Sequence, residues 1–305
     1  MTTPAAFGPQ QKSARPPVRP VLTWVPSDDH TGLDVAMAWH DLVGGSQSGA
    51  TCVWTTQPVD RPINHPAFNE LCWHTVDLPV RIDRHLADTD PREPWSPWGP
   101  KSGPNHQFFS VLDAQREHHD EEWVLFIEPD THPLRDDVYD RINELITAHP
   151  AAWMMGGVPH TRLRPSLASD LWRHVNGAAL YKAGDRDFAR FRQEVWIPSL
   201  LLKIRVEPRF AFDCMTDPAQ WESLPRLLRN SWSAAVDRFV RTAGVVNLSS
   251  LTLSSTQVRS ILEGTAWAID CDDDAEPWML HAKGDLTDIH HLLTGATGLT
   301  GVGRT

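Results

Sequence analysis

Trp123-Val124-Leu125-Phe126-Ile127-Glu128-Pro129-Asp130 is the stretch from which the fold of this chain is read. Its five apolar residues, aromatic and β-branched among them, run without a polar interruption. That is the pattern of a strand buried on both faces of a parallel sheet. The run stops at Glu128-Pro129-Asp130, where proline has no N–H to give a ladder. Two carboxylates are thereby left beyond the carboxyl end of a buried strand, the edge at which open α/β sheets bind ligands. Carboxylates one residue apart in a turn can hold a divalent metal, which in turn can hold a diphosphate. A strand ending in a plain acidic turn has the same sequence, so the flanking segments must decide.

Upstream, Pro104 suits the first turn of a helix in which Phe108, Val111 and Leu112 share a face; it extends to about residue 118. Downstream, Asp136 and Asp137 stand at the favourable end of a helix dipole. Val138, Ile142, Leu145 and Ile146 then form an apolar stripe. Nearer the N-terminus, a strand at 21–25, a helix at about 33–43 and strands at 51–56 and 75–78 make a βαβ beginning, with right-handed crossover expected. No G-x-G-x-x-G follows the first strand, so a dinucleotide fingerprint is absent. Residues 79–104 read as a long surface loop. Past the central strand, further strands are expected at 152–156, within 174–181, ending at Phe210-Ala211-Phe212-Asp213, at 245–253 and within 277–285. Helices are expected at 185–193 and 220–241, the latter bent at Pro225. The fold class is therefore α/β, a single domain over residues 20–292 with a mostly parallel central sheet flanked by helices. A disordered leader (1–19) and a flexible tail (293–305) complete the expected layout.

Composition narrows the function. The chain has 305 residues, 41% of them hydrophobic and 22% charged, enough for a substantial core. Its formal charge of -11 opposes nonspecific binding to nucleic acid or anionic membrane. No apolar run is long enough to span a bilayer, no basic amphipathic helix is evident, and the N-terminus lacks a signal-peptide core. The 4 cysteines include no C-x-x-C pair, which indicates neither a zinc knuckle nor a disulfide framework; a reducing cytoplasm fits best. Trp (14) and His (15) are abundant. Both suit sugar recognition, but core filling is the expected role of most of the tryptophans.

Four pieces occur in one order: Lys101-Ser-Gly-Pro-Asn105-His-Gln-Phe-Phe109, Phe126-Ile-Glu128-Pro-Asp130, His174-Val-Asn176-Gly177-Ala-Ala-Leu-Tyr181 and His281-Ala-Lys283-Gly284. Together they resemble nucleotide-sugar glycosyltransferases of the GT-A fold, a single Rossmann-like domain. The resemblance implies a hexosyltransferase-like enzyme that uses a nucleoside-diphosphate sugar, a UDP-sugar favoured, with Mn²⁺ or Mg²⁺. On its terms Glu128-Pro-Asp130 matches the D-x-D metal motif, with Asp130 the direct ligand. Glu128 departs from the pattern and is left to metal, ribose or the loop alone. His281 matches the late histidine of the metal site, and Lys283 the lysine that pairs with the diphosphate. Lys101 and Asn105 match a segment that helps hold the nucleotide sugar, Asp28 the base or ribose site, and Asn176-Gly177 a donor- or acceptor-facing loop.

A nucleoside diphosphate leaves readily only once its charge is neutralised, which a cation and Lys283 would do. An inverting enzyme also needs a base at the acceptor hydroxyl, for which Asp213 and Asp217 are the candidates; both also suit helix starts. The acceptor stays open among a glycan, a small molecule and a hydroxymethylated base in phage-type DNA. For DNA, Arg162, Arg164, Arg205 and Arg209 would have to form a basic groove. Two other readings stand beside the enzyme. One is a noncatalytic sugar- or nucleotide-binding module, kept open by Glu128. The other is a sugar nucleotidyltransferase, which lacks support because no Gly-rich signature follows the first strand.

Overall fold

The computed structural model describes residues 18–24, 31–43, 51–55, 71–76, 98–119, 122–133, 137–158, 173–242, 244–247 and 278–281. Asp28, Lys283, Arg162, Arg164, residues 79–97 of the long loop, the tail and residues 1–17 of the leader lie outside the described residues.

The central sheet has seven strands. In chain order they are β1 (Val18–Trp24), β2 (Cys52–Thr55), β3 (Cys72–Thr75), β4 (Trp123–Ile127), then β6 (Met154–Gly156), β7 (Leu180–Tyr181) and β8 (Phe239–Arg241). They lie side by side as β3-β2-β1-β4-β7-β6-β8. All neighbours are parallel except β7, which runs antiparallel to both β4 and β6. The mostly parallel α/β sheet expected from the sequence is therefore present.

β4 is buried along its whole length, and its side chains divide strictly by strand alternation. Val124 and Phe126 enter one core, beside Phe108, Val111 and Leu112 of α2 (Ser102–His118). Trp123, Leu125 and Ile127 enter the other. There they meet Leu33, Ala36 and Trp39 of α1 (Thr31–Val43), and Val138 and Ile142 of α3 (Val138–Ala148). The first core is closed by three more helices, α4 (Arg186–Phe191), α5 (Ile197–Ile204) and α6 (Arg226–Ala235), through Phe188, Phe191, Leu200 and Trp232, and by Trp196 from the turn between α4 and α5. Asp185 starts α4 by accepting the Phe188 N–H at 2.9 Å, a capping bond that satisfies one orphan donor. A single π turn, Arg192–Trp196, links α4 to α5. Trp39, Trp54, Trp123, Trp196 and Trp232 are fully buried, the core-filling role expected of most tryptophans.

A second sheet of three short strands orders β5 (Thr131–Pro133), β10 (Met279–His281) and β9 (Val245–Asn247), with β10 central. β5 pairs antiparallel with β10, placing His281 opposite Thr131. Gly157 allows the close approach of this sheet, since a Cβ there would collide with the backbone of Val245.

Several boundaries differ from the sequence expectation. β1 begins at Val18, inside the stretch assigned to the leader. The third strand is Cys72–Thr75, not 75–78, because Cys72 stands in register with Cys52. No strand ends at Asp213: the Asn105 side chain takes both the Phe210 carbonyl (3.2 Å) and the Phe212 N–H (2.8 Å), and Asp213–Thr216 is a 3₁₀ turn. The helix expected over 220–241 is four pieces, one of them a short 3₁₀ turn, Val236–Arg238, directly after α6. Pro218–Trp221 is a 3₁₀ turn, α6 starts after Pro225, and Phe239–Arg241 is strand β8, paired with β6. Proline stops the first piece, and aromatic and β-branched residues suit the last to a ladder.

Phe108 ties the first core together. Its ring stacks on Phe212 (centroids 3.7 Å, planes 8° apart) and meets Tyr181 edge-on at 5.0 Å. Phe108→Ala is expected to lower unfolding free energy by about 3–5 kcal/mol through cavity formation, read from the urea midpoint at unchanged slope.

Candidate functional site

The central strand ends in a closed turn. The Glu128 carbonyl accepts the Thr131 N–H at 2.9 Å, and the Thr131 hydroxyl accepts the Glu128 N–H at 3.1 Å. From α1, the indole N–H of Trp39 donates to the Thr131 carbonyl at 3.1 Å. The backbone of Glu128-Pro129-Asp130-Thr131 is therefore held from both sides before any ligand is considered.

The ladder between β5 and β10 brings His281 to this turn. Its Nε2 lies 3.0 Å from Asp130 Oδ1 and 3.4 Å from Glu128 Oε2. One ligand atom from each residue falls within 4.8 Å of the others. His281 is buried and the two acids are partly exposed. Neither ring nitrogen of His281 has hydrogen-bond geometry to a partner among the described residues. Burial by itself would lower the imidazole pKa; Asp130 first, and then Glu128, outweigh it and raise it to about 10. The two acidic side chains therefore favour the imidazolium form of His281. Deprotonated, the same three groups are an O,O,N donor set that suits a hard or borderline divalent cation such as Mn²⁺.

A second wall faces this cluster. A Cβ at Gly177 would lie 3.3 Å from Glu128 Oε1 and 2.8 Å from the Phe212 ring, so the 174–181 segment passes close to the acids only because this residue is glycine. The Gly177 N–H donates to Asp213 Oδ2 at 3.2 Å and the Cys214 N–H to Asp213 Oδ1 at 3.0 Å. His174 Nε2 lies 3.7 Å from the same Oδ2. The buried Tyr181 hydroxyl donates to the Gly177 carbonyl at 2.8 Å. Burial first, then the charges of Asp213 and Glu128, push the Tyr181 pKa well above its ordinary value. One phenol thus senses both acids. Glu128, Asp130, His281, Gly177 and Asp213 are thus neighbours beyond the carboxyl end of β4.

The other candidates fall elsewhere. Asn105 is fully buried, and its amide is engaged by Phe210 and Phe212; it positions the segment carrying Asp213 instead of facing a ligand. Trp196 assists by donating to the Phe212 carbonyl at 2.9 Å. Asp217 is also fully buried, and its Oδ1 caps the Pro218–Trp221 turn through the Ala219 N–H at 3.0 Å, the helix-start role that its sequence favoured. Asn176 is buried and accepts the Ala178 N–H at 2.9 Å, which shapes the loop around Gly177. Lys101 is half-buried at the N-terminus of α2. Asp28 and Lys283 lie outside the described residues. Arg205 and Arg209 are exposed, while their expected partners in a basic groove, Arg162 and Arg164, are outside the described residues. His174 was assigned no role from sequence; only its place two residues before Asn176 hinted at one.

No family model and no curated protein matches the chain. Among solved structures, similar ones include the galactosyltransferase LgtC in complex with donor and acceptor sugar analogs. It is 12% identical with a TM-score of 0.44, over 94% of this chain and 98% of that one. A glycosyltransferase involved in glycosylation of the major capsid of PBCV-1 is 9% identical, TM-score 0.42, over 90% and 98%. The mannosyltransferase PcManGT from Pyrobaculum calidifontis, in complex with GDP-Man and Mn²⁺, is 14% identical, TM-score 0.35, over 65% and 55%. Likenesses of this size place the chain in no family, and the functional reading below rests on the site itself. No helix among the described residues is long and apolar enough to cross a membrane.

Two substitutions test this geometry. Asn105→Ala leaves a buried carbonyl and N–H without partners and is expected to cost about 2–4 kcal/mol of stability, read by chemical denaturation. Gly177→Val, whose side chain has no room between Phe212 and Glu128, is expected to lower the thermal midpoint by several degrees, on the order of 1–3 kcal/mol of overpacking.

Proposed function

We propose that the chain is a metal-dependent glycosyltransferase that moves a sugar from a nucleoside-diphosphate sugar to an acceptor hydroxyl. The observation that carries this reading is the meeting of Glu128, Asp130 and His281 at the carboxyl end of the central strand, 3.0 and 3.4 Å across the imidazole. Asp130, His281 and Glu128 would hold Mn²⁺ or Mg²⁺, which supplies the positive charge that a departing diphosphate requires. Lys283, two residues beyond His281 in sequence, would add a second positive charge. Lys101 and Asp28 would bind the nucleotide part of the donor, a UDP-sugar by preference.

Asp213 is the candidate base. Its two oxygens are oriented by the N–H groups of Gly177 and Cys214, and it stands opposite Glu128 across Gly177. A carboxylate held so near the acids can take a proton from an acceptor hydroxyl in an inverting transfer. Asp217, buried as a cap, is not assigned this role. The acceptor is a hydroxyl on a glycan, a small molecule or a hydroxymethylated base.

Asp130→Ala is expected to reduce donor turnover by on the order of 10²–10³-fold, the usual loss when a preorganised charge-stabilising group is removed, with the fold intact by circular dichroism. Turnover of nucleotide sugars at the unaltered rate would defeat the assignment. Wild-type protein that binds a nucleotide sugar yet transfers or hydrolyses nothing with any divalent metal would favour the noncatalytic module.

Metal binding should also depend on pH in one direction. Since His281 is held protonated up to about 10, each bound ion must displace a proton, so affinity is expected to rise with pH by up to about tenfold per unit through the neutral range. Without metal the sign is opposite: the imidazolium cluster stabilises fully below the ordinary histidine pKa, and that contribution is lost as pH rises toward about 10. Titration calorimetry with Mn²⁺ in buffers of different ionisation enthalpy counts the released proton.

A further inference from the structure

A second cluster lies away from the acids, at the edge of the central sheet. Cys52 on β2 and Cys72 on β3 are register partners in parallel strands, so their side chains share a face. His74 follows two residues after Cys72 and points to that same face. His119 is the residue that closes α2, in extended conformation. Cys72 Sγ lies 3.2 Å from His74 Nε2, Cys52 Sγ lies 3.6 Å from His119 Nε2, and the two Nε2 atoms are 3.0 Å apart. All four ligand atoms fall within 4.8 Å of one another.

Hydrogen bonds link these atoms two at a time. Each imidazole Nε2 faces both a sulfur and the other Nε2, yet it offers only one proton or one lone pair. A cation at the centre would engage all four atoms at once. Tetrahedral zinc, with Zn–S about 2.3 Å and Zn–N about 2.0 Å, requires edges of roughly 3.3 Å between nitrogens and roughly 3.5 Å between nitrogen and sulfur. The three separations lie close to those edges. The surroundings also suit such a centre: Trp54 stacks on His74 (centroids 4.4 Å, planes 20° apart), which fixes the ring, and Arg19 Nη1 approaches Cys52 Sγ at 3.8 Å, a donor toward a thiolate.

We propose that Cys52, Cys72, His74 and His119 form a structural zinc site that fastens edge strand β3 and the end of α2 to β2. Two sulfurs and two nitrogens select zinc over the hard cations that suit the acidic cluster. Four protein ligands leave no open position, so the site is structural and not catalytic. Cysteine spacing indicates no zinc knuckle, and this site is not one: its ligands span residues 52 to 119 and meet only in the fold. The two clusters share no residue, so this site stands or falls independently of the glycosyltransferase reading.

The full chain, purified without chelator, is expected to contain about one zinc per molecule by mass spectrometry of the elements. Cys72→Ser and His119→Ala should each lower that content about tenfold or more, while Asp130→Ala leaves it unchanged. Because loss of the fastening can itself unfold a variant, wild-type protein exchanged into Co²⁺ provides a second reading. A tetrahedral ligand-field spectrum with a thiolate charge-transfer band is expected, and the acidic cluster cannot produce that band. Zinc-free protein that gives no such spectrum, or Cys52 and Cys72 found joined as a disulfide, overturns the proposal.

Discussion

The candidate site depends on one short antiparallel ladder. Three residues of β5 pair with three of β10, and this register sets His281 against the turn that ends the central strand. Neither partner could hold the geometry alone. The acids sit on a turn fixed by Thr131 and by the indole of Trp39, whereas the histidine is delivered from a distant part of the chain. A register slip of one residue would turn the imidazole to the opposite face of the small sheet and leave two carboxylates facing each other.

Charge and burial reinforce this arrangement. Glu128, Asp130 and Asp213 crowd a region walled by buried aromatics, and the effects reach His281, held as a cation, and Tyr181, held as a phenol. Such a region favours whatever positive charge enters it. The aromatic wall also fixes the parts: Phe108 stacks on Phe212, Trp196 and Asn105 bind the adjoining backbone, and the next residue is Asp213. The rigid core thus continues directly into the site.

Much of this was legible in the sequence. The apolar run 123–127 announced a strand buried on both faces, and its proline-terminated end marked where the strand stops and the acidic turn begins. The stripe from Val138 to Ile146 likewise announced α3. What stayed hidden depended on tertiary partners. Phe210-Ala-Phe reads as a strand, but the Asn105 side chain takes the backbone groups that a ladder would use. Asn105 drew a nucleotide-sugar role only from the resemblance of its segment, and both ends of its amide are engaged inside the core. Asp217 suited a helix start more than a base, and it is buried with its side chain capping the Pro218–Trp221 turn. The Cys/His cluster was invisible for another reason: two ligands pair across strands and a third closes a helix, so no local spacing records them.

The long separation between Asp130 and His281 bears on how the chain becomes competent. Synthesis proceeds from the N-terminus, so the acids, the aromatic wall and the seven-stranded sheet are all made before the imidazole exists. Until residue 281 docks, Glu128 and Asp130 lack their imidazole neighbour. Pairing of β10 therefore acts as a completion step: a nascent or shortened chain can have the central sheet and still lack the Glu128–Asp130–His281 cluster.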